Sequence, residues 1–311
     1  MCVNCGKGEE ESVNLKICEK CKMVKYCSDS CKEAHREQHE NICKEIYDDA
    51  LFKDHPPRDD CPICLLPLPG VELVGFETCC GKHICSGCIL EMCASDKKSG
   101  GNQREKCPYC REPDSRTDKQ AIKRLKRLMK AGNGEAFNML AMDYENGTRG
   151  MPQDYHKANE LFLRGGELGC DMAYHNLGSS YQCGTGVEVD MVKAKHYFEL
   201  AAMIGCTYAR HNLGFIELDG GKNDRAYKHF IISARDGDKN SLGEVMKGYK
   251  KGLVSKDEYA STLRAYQKRQ DEMKSATRDR VVPMSEVLLP NPMYLGGVVN
   301  GMMGLVIENY L

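Results

Sequence analysis

The sequence contains no tryptophan, and aromatic residues make up only 7% of its 311 positions. A core built on large aromatic side chains is therefore not expected. Neither positive nor negative charge is in excess, because the 44 Lys and Arg residues nearly balance the 45 Asp and Glu residues, which gives a formal net charge of −1. This balance argues against bulk electrostatic binding to nucleic acid.

Long hydrophobic runs are absent as well. The N-terminal stretch, MCVNCGKGEE, lacks the apolar segment of a secretory signal. The apolar run from Met293 to Ile307 has 15 residues and contains Asn300, whereas a helix needs about 20 apolar residues to span a bilayer. We therefore expect an intracellular protein, cytoplasmic or nuclear, with no membrane contact and with a docking or poorly ordered tail at 264–311.

Cysteine, in contrast, is abundant. Sixteen of the 19 cysteines precede residue 111, and only Cys170, Cys183 and Cys206 follow. In a reducing compartment, metal binding explains such clusters better than disulfide bonds do. Two cysteine-rich zones, 1–44 and 61–111, are separated by a polar, proline-containing linker at 45–60.

The first zone holds eight candidate metal ligands in four closely spaced pairs. A two-residue spacing lets a tight turn aim two thiolates at one ion, and a three-residue spacing places two donors on one face of a helix. Eight donors suit two zinc ions, which so short a segment needs because it cannot bury an adequate apolar core. The pairs are Cys2-x2-Cys5, Cys18-x2-Cys21, Cys27-x3-Cys31 and His39-x3-Cys43.

This spacing, with Tyr26 directly before Cys27, resembles the MYND finger over residues 2–43. The resemblance implies a peptide-binding module in which the pairs interleave on two zinc ions. His35, one helical turn before His39, is the alternative ligand. The implied sets are Cys2, Cys5, Cys27 and Cys31 on one zinc, and Cys18, Cys21, His39 and Cys43 on the other.

The second zone opens with CPIC at 61–64 and closes with CPYC at 107–110, and CSGC at 85–88 lies between them. These three pairs leave one of two sites short of two ligands. The candidates for the missing pair are Cys79, Cys80 and His83. Cys93 follows on a helix-like stretch and is expected to lie on its apolar face.

The frame CPIC…CG..ICSGCI…CPYCR resembles the RING finger across residues 61–111. Lys82 stands where the usual ligand histidine follows the glycine, but the run from Cys80 to Cys88 fits the all-cysteine variant. His83 with one of the two adjacent cysteines remains the alternative. The implied cross-brace places Cys61, Cys64, Cys85 and Cys88 on one zinc, and Cys79, Cys80, Cys107 and Cys110 on another.

Zinc held by four protein ligands has no open position for water, so both sites of this zone are expected to be structural. No residue is expected to act in covalent catalysis. By resemblance, Ile63, Met92 and Pro108 contact a ubiquitin-conjugating enzyme, with packing within the knuckles as the alternative. Arg111 would restrain the ubiquitin thioester by donating hydrogen bonds, with a merely solvated charge as its alternative.

From residue 134 to 263 a pattern recurs every 32 to 37 residues. AFNMLAMDYENG begins at Ala136, AYHNLGSSYQCG at Ala173 and ARHNLGFIELDG at Ala209, with a weaker copy from 241. Such spacing predicts stacked helix–turn–helix units, with Gly184 at a turn that needs positive φ. The pattern resembles Sel-like repeats, relatives of tetratricopeptide repeats, which implies a protein-binding scaffold. The histidines at 156, 175, 196, 211 and 229 are expected to be packing or surface residues.

Between the second zone and the repeats, SRTDKQAIKRLKRLMK (115–130) predicts a basic connecting helix within 112–133. Its apolar positions, Ile122, Leu125, Leu128 and Met129, fall on one face. The seven Lys and Arg residues favour a solvated opposite face, with a nucleic-acid or anionic-surface patch as the alternative.

These zones together predict a multidomain chain of two small cross-brace zinc modules, with four Zn2+ ions in total, followed by an all-α helical-repeat solenoid. The predicted function is that of a RING-type ubiquitin ligase that recruits substrate through its repeats or its MYND finger. The alternative is a non-enzymatic adaptor for protein–protein interaction.

Overall fold

The structure, a computed structural model, describes residues 16–17, 25–26, 28–70, 73–98 and 106–281. The chain divides into two compact units, 1–54 and 55–311. In the first unit, strand β1 (Lys16–Ile17) pairs antiparallel with β2 (Lys25–Tyr26). Helices α1 (Asp29–Ala34) and α2 (Arg36–Leu51) follow.

A small core around Tyr26 holds the described part of the first unit together. Tyr26 and Cys43 are buried, and Cys31, Ile46 and Tyr47 pack against them. Helix α1 begins where the Ser28 hydroxyl accepts a hydrogen bond from the backbone N–H of Cys31, which satisfies a donor that the helix itself cannot pair. The core therefore forms around two of the predicted ligand positions.

The second unit begins with a hairpin and one helix. Strands β3 (Val74–Glu77) and β4 (Lys82–Cys85) are antiparallel, with Val74 opposite Cys85. Helix α3 (Ser86–Lys98) continues directly from β4. The turn between the strands contains Gly81 at φ +70°, a conformation that favours glycine.

Helix α4 (Asp118–Lys130) occupies the basic stretch between the second cysteine zone and the repeats. The Thr117 hydroxyl caps it by accepting from the backbone N–H of Gln120 at 3.2 Å. Ile122 and Leu125 are buried, and Leu128 and Met129 pack against the same core. The apolar face that the sequence indicates therefore joins α4 to the repeats.

Within residues 134–273, which the structure describes throughout, eight helices form four consecutive pairs. Each helix packs on the next, as stacked repeats require. Their bounds are α5 (Gly134–Asn146), α6 (Tyr155–Glu167), α7 (Asp171–Cys183), α8 (Met191–Ile204), α9 (Thr207–Asp219), α10 (Asn223–Arg235), α11 (Lys239–Lys250) and α12 (Lys256–Met273).

Small residues set the close spacing of the repeat helices. Ala136, Ala173 and Ala209, which open the three clear copies, are fully buried. At Gly214, a Cβ atom would lie 2.4 Å from the ring of Phe230, so only glycine fits there without a shift. The repeats thus close around alanine and glycine, with phenylalanine filling the remaining space.

Two predicted boundaries fall inside helices. Helix α12 runs past residue 263 to Met273, because its sequence contains no glycine or proline to end it earlier. Within the predicted linker at 45–60, α2 extends through Leu51, and Arg58 forms an ion pair with Asp236. Among the described helices, none combines the length and apolar character that a membrane span requires.

Candidate functional site

Two knuckles of nearly identical backbone build the candidate site. In the first, Cys61 N–H donates to the Leu66 carbonyl and Leu65 N–H to the Cys61 carbonyl, both at 2.9 Å. In the second, the backbone N–H of Cys107 donates to residue 112 at 2.8 Å and that of Arg111 to Cys107 at 3.0 Å. The CPxC sequence, repeated 46 positions later, therefore folds the same way twice.

Both knuckles place a residue other than glycine in the left-handed region. Leu65 has φ +57° and Arg111 has φ +62°, and the two occupy equivalent positions directly after the last cysteine of each knuckle. An L-residue pays roughly 1 kcal/mol for this conformation. The cost is offset by the backbone hydrogen bonds that turn the chain back past each cysteine pair.

The first set of four cysteines combines the first knuckle with the start of α3. Their sulfur atoms lie within 4.8 Å of one another. The Sγ atoms of Cys61 and Cys88 are 3.9 Å apart and those of Cys64 and Cys85 are 3.8 Å apart. A tetrahedral zinc with Zn–S bonds of about 2.3 Å separates its sulfurs by about 3.8 Å, so this set has the spacing of a zinc site.

The second set combines the hairpin turn with the second knuckle. The sulfur atoms of Cys79, Cys80, Cys107 and Cys110 also lie within 4.8 Å of one another. Cys80 Sγ is 3.9 Å from Cys107 Sγ, and Cys110 Sγ is 3.4 Å from Cys79 Sγ. The first and third pairs of the zone thus form one set, and the second and fourth pairs form the other.

The thiols of both sets are not disulfide-bonded, and their ionisation is strongly perturbed. Burial raises the pKa of Cys61, but backbone hydrogen bonds, the largest involving Cys64, outweigh burial and lower it to about 7. For Cys80, burial raises the pKa to about 11, and burial together with neighbouring thiols also raises that of Cys79. A divalent cation compensates such clustered charge, because thiols that bind metal are deprotonated.

Other candidates from the sequence lie apart from the two sets. His83, on β4, has its ring centroid 5.3 Å from that of Phe76 and belongs to neither set, so the arrangement gives no support to His83 as a ligand. Cys93, on α3, is half-buried and also belongs to neither set.

The surface positions expected to contact a conjugating enzyme have different environments. Ile63 is 39% exposed at the tip of the first knuckle. Met92 is half-buried on α3, and Arg111 is exposed. Pro108, however, is buried, so its ring packs within the unit, and its contact with a partner stays a prediction.

Most of the predicted ligands of the first zone lie outside the part of the chain that the structure describes. Cys2, Cys5, Cys18, Cys21 and Cys27 lie outside the described residues, as does the side chain of His39. Cys31 and Cys43 are described and share the core around Tyr26. The alternative ligand, His35, has its Nδ1 atom 3.2 Å from the Tyr26 hydroxyl.

An arginine that the sequence placed on a solvated face contacts the second set. Arg127 of α4 donates from Nη2 to the Cys79 carbonyl oxygen, and Arg124 donates to the Pro113 carbonyl at 2.6 Å. These contacts join the basic helix to the turn after β3 and to the segment that follows the second knuckle. Neither was indicated by the sequence, because an exposed helix face and a docked one have the same spacing of charges.

Comparison with known families assigns parts of the chain. Residues 2–43 match the MYND finger, and residues 135–170 and 171–206 match the Sel1 repeat. The first match implies zinc binding in the N-terminal zone. Both kinds of module suggest protein–protein interaction. A cysteine-rich, zinc-binding N-terminal region followed by an all-helical Sel1-repeat solenoid is therefore the architecture, as the sequence predicts.

Two solved structures are similar to parts of this chain. A Sel1 repeat protein from Oxalobacter formigenes is 25% identical, with a TM-score of 0.43, and the match covers 48% of this chain and 64% of that one. The protective antigen c5321 of uropathogenic Escherichia coli is 22% identical, with a TM-score of 0.44, over 71% of this chain and 48% of that one.

Two curated proteins, both called E3 ubiquitin-protein ligase GW2, from Oryza sativa subsp. indica and subsp. japonica, are similar to part of the chain. Each is 32% identical over 65 residues, which is 21% of this chain. The chain spans 14% of the length of these relatives.

Proposed function

We propose that this chain is a RING-type ubiquitin-protein ligase, in which residues 61–111 bind a ubiquitin-charged conjugating enzyme and the repeats or the N-terminal finger recruit substrate. The observation that carries the proposal is the interleaving of two four-cysteine sets. Each set would hold one zinc, and with two more in residues 2–43 the chain would bind four ions. Closed four-cysteine zinc sites are structural, so the zone acts by binding rather than by hydrolysis.

The first knuckle offers an apolar contact surface for the conjugating enzyme. Ile63 is 39% exposed and Leu65 is 73% exposed, and single apolar anchors of this kind can carry much of the energy of a small interface. Met92 would contribute its accessible part. Pro108 is buried and would support the surface from within.

Arg111 would act on the ubiquitin thioester. It is exposed, and its backbone is held at φ +62° by the second knuckle, which fixes where its side chain starts. A guanidinium offers five donors in a planar fork and can hydrogen-bond to two partners at once. Restraining the thioester in this way would favour attack by a substrate lysine through orientation.

The repeats supply surface for a protein substrate. Phe215 of α9 and Met246 of α11 are large apolar side chains that remain exposed on helices of the solenoid. The partial similarity to the two rice ligases also supports the proposal, although it spans a small share of each chain.

The second candidate function is a non-enzymatic adaptor. The burial of Pro108 favours it, because one of the three expected enzyme contacts is not accessible. In this case both finger modules and the repeats would serve only as docking surfaces.

Discharge of ubiquitin from a panel of charged conjugating enzymes to free lysine tests the proposal. The full chain should accelerate discharge, and Ile63→Ala should abolish most of the acceleration with zinc content unchanged. Tyr109 occupies the equivalent position in the second knuckle and is also exposed, so Tyr109→Ala is the matched control and should keep activity.

Arg111→Ala and Arg111→Gly should both lower discharge to the same extent. Glycine relieves the positive φ while removing the guanidinium, so equal loss identifies the side chain as the cause. A chain that accelerates no conjugating enzyme in the panel, yet binds its zinc, would favour the adaptor.

A further inference from the structure

The chain returns to the first cysteine set after the last repeat helix. Beyond α12, the backbone N–H of Asp279 donates to the Ser275 carbonyl at 2.9 Å, and the backbone N–H of Arg278 donates to the Ser275 hydroxyl at 3.2 Å. This turn, which we call the return segment (275–281), brings Arg278 to a cysteine more than 200 positions earlier.

Arg278 is 7% exposed, and its guanidinium donates four hydrogen bonds. Nη2 lies 3.3 Å from Cys64 Sγ and 3.2 Å from the Leu66 carbonyl. Nη1 lies 2.7 Å from the Pro67 carbonyl and 3.0 Å from that of Met273, at the end of α12. One side chain therefore joins the first knuckle, a metal-ligand candidate and the end of the solenoid.

The return segment also lies directly against α3. A Cβ atom at Gly87 would be 2.9 Å from both the backbone nitrogen and the Cγ atom of Arg278, so glycine permits this approach. One turn further along α3, Glu91 pairs with Arg280 at 2.7 Å, but both side chains are more than half exposed. The exposed pair is worth little, which leaves Arg278 as the principal contact.

The negative charge of a zinc site with four thiolates explains the position of the Arg278 guanidinium. Four thiolates around one Zn2+ carry a net charge of −2, and three of the four cysteines in the first set are buried. A buried anionic centre needs a nearby cation or hydrogen-bond donors. Arg278 supplies both, since its N–H group points at the sulfur of Cys64. Groups that hydrogen-bond to metal ligands typically strengthen metal affinity by about 10- to 100-fold.

We propose that Arg278 is a positioning residue of the first metal site, which retains its zinc through a contact from the far end of the solenoid. The inference rests on the proposed zinc occupancy of Cys61, Cys64, Cys85 and Cys88. The return segment would thus support the first cysteine set, a role that neither the cysteine spacing nor the repeat pattern indicates. The first cysteine set would then be complete only in a chain that extends through the last repeat.

The rate of zinc release from the full chain to an excess of a chromogenic chelator tests this role. In Arg278→Ala, one zinc equivalent should leave roughly 10 times faster or more, while the other ions leave at the wild-type rate. Arg278→Lys keeps the charge but not the forked donors, so it should give an intermediate rate. Arg280→Ala is the matched control on the same segment and should release zinc as the wild type does. Far-UV circular dichroism identifies folded variants.

Two results would overturn the inference, and only the second would also refute zinc binding by the first set. The first result is zinc release at the wild-type rate from folded Arg278→Ala and Arg278→Lys, or equally faster release of every zinc ion. If Cys61→Ser/Cys64→Ser also lowers the zinc content by one, this result refutes the role of Arg278 alone. Unchanged zinc content in that double variant would refute zinc occupancy of the first set and the role of Arg278 together.

Discussion

Arg58 Nη2 donates to Asp236 Oδ2 at 2.7 Å, across 178 positions of the chain. Arg58 precedes the first knuckle, and Asp236 caps the end of α10. His55 Nδ1 lies 3.3 Å from the same carboxylate oxygen, and Arg269 of α12 lies 3.5 Å from Oδ1. The segment before Cys61 and the solenoid therefore share a largely buried charged contact, and this segment is part of the second unit rather than a free tether.

Replacing Asp236 should destabilise the second unit. Asp236→Ala leaves the positive charges of Arg58 and Arg269 without their carboxylate, and breaking a buried pair costs about 3 kcal/mol. Urea unfolding followed by circular dichroism measures the change. Asp271→Ala removes an exposed carboxylate paired with Lys274 and should leave the midpoint unchanged. Equal midpoints for the two variants would contradict a structural role for the contact.

Glycines in the repeats should respond to alanine according to their surroundings. Gly214→Ala places a Cβ atom 2.4 Å from the Phe230 ring and should destabilise the solenoid by about 1–3 kcal/mol. Gly243, on α11, has no atom within 4 Å of its Cβ position, so Gly243→Ala should stabilise the helix by up to about 1 kcal/mol. Thermal unfolding measures both changes, and opposite signs are required.

Acid should weaken the solenoid through His175. Burial lowers the pKa of His175 from 6.5 to about 4, and Asn212 donates to its Nε2 atom at 3.3 Å, which suits the neutral ring. The folded state binds this proton less readily than the unfolded state, so stability falls as the pH drops from 6.5 towards 4, by at most about 3 kcal/mol. Protonation of His175 therefore opposes folding throughout this range.

Urea midpoints at pH 7.5 and pH 5.5 test this assignment. His175→Gln should lose less stability between the two pH values than the wild type does. Cysteine protonation and zinc release affect both proteins alike, so the difference between them reports on the histidine. An identical pH dependence for the variant and the wild type would show that His175 contributes nothing to acid sensitivity.

Local spacing predicted much of this molecule, and the remainder depends on contacts that leave no local pattern. The repeat helices, the buried alanines such as Ala173, and the positive φ of Gly184 (+76°) follow from residues close in sequence. The Arg58 and Arg278 contacts join segments about 180 to 215 positions apart, and arginine in a polar stretch looks the same whether solvated or docked. The burial of Pro108 has the same origin, because tertiary packing decides it.

The two cysteine sets show both what local spacing predicts and what it leaves open. The spacing of Cys61, Cys64, Cys85 and Cys88 indicated donors but did not choose among Cys79, Cys80 and His83. The geometry favours the two cysteines, since the sulfurs of Cys79 and Cys80 lie close to those of the second knuckle, while His83 packs beside Phe76.

Native mass spectrometry of the full chain tests the two interleaved sets most directly, by counting bound zinc. We predict that Cys61→Ser/Cys64→Ser and Cys107→Ser/Cys110→Ser each bind one ion fewer than the wild type, and that His83→Ala binds the same number. Loss of an ion in His83→Ala, or an unchanged count in either double variant, would contradict the assignment of two four-cysteine zinc sites.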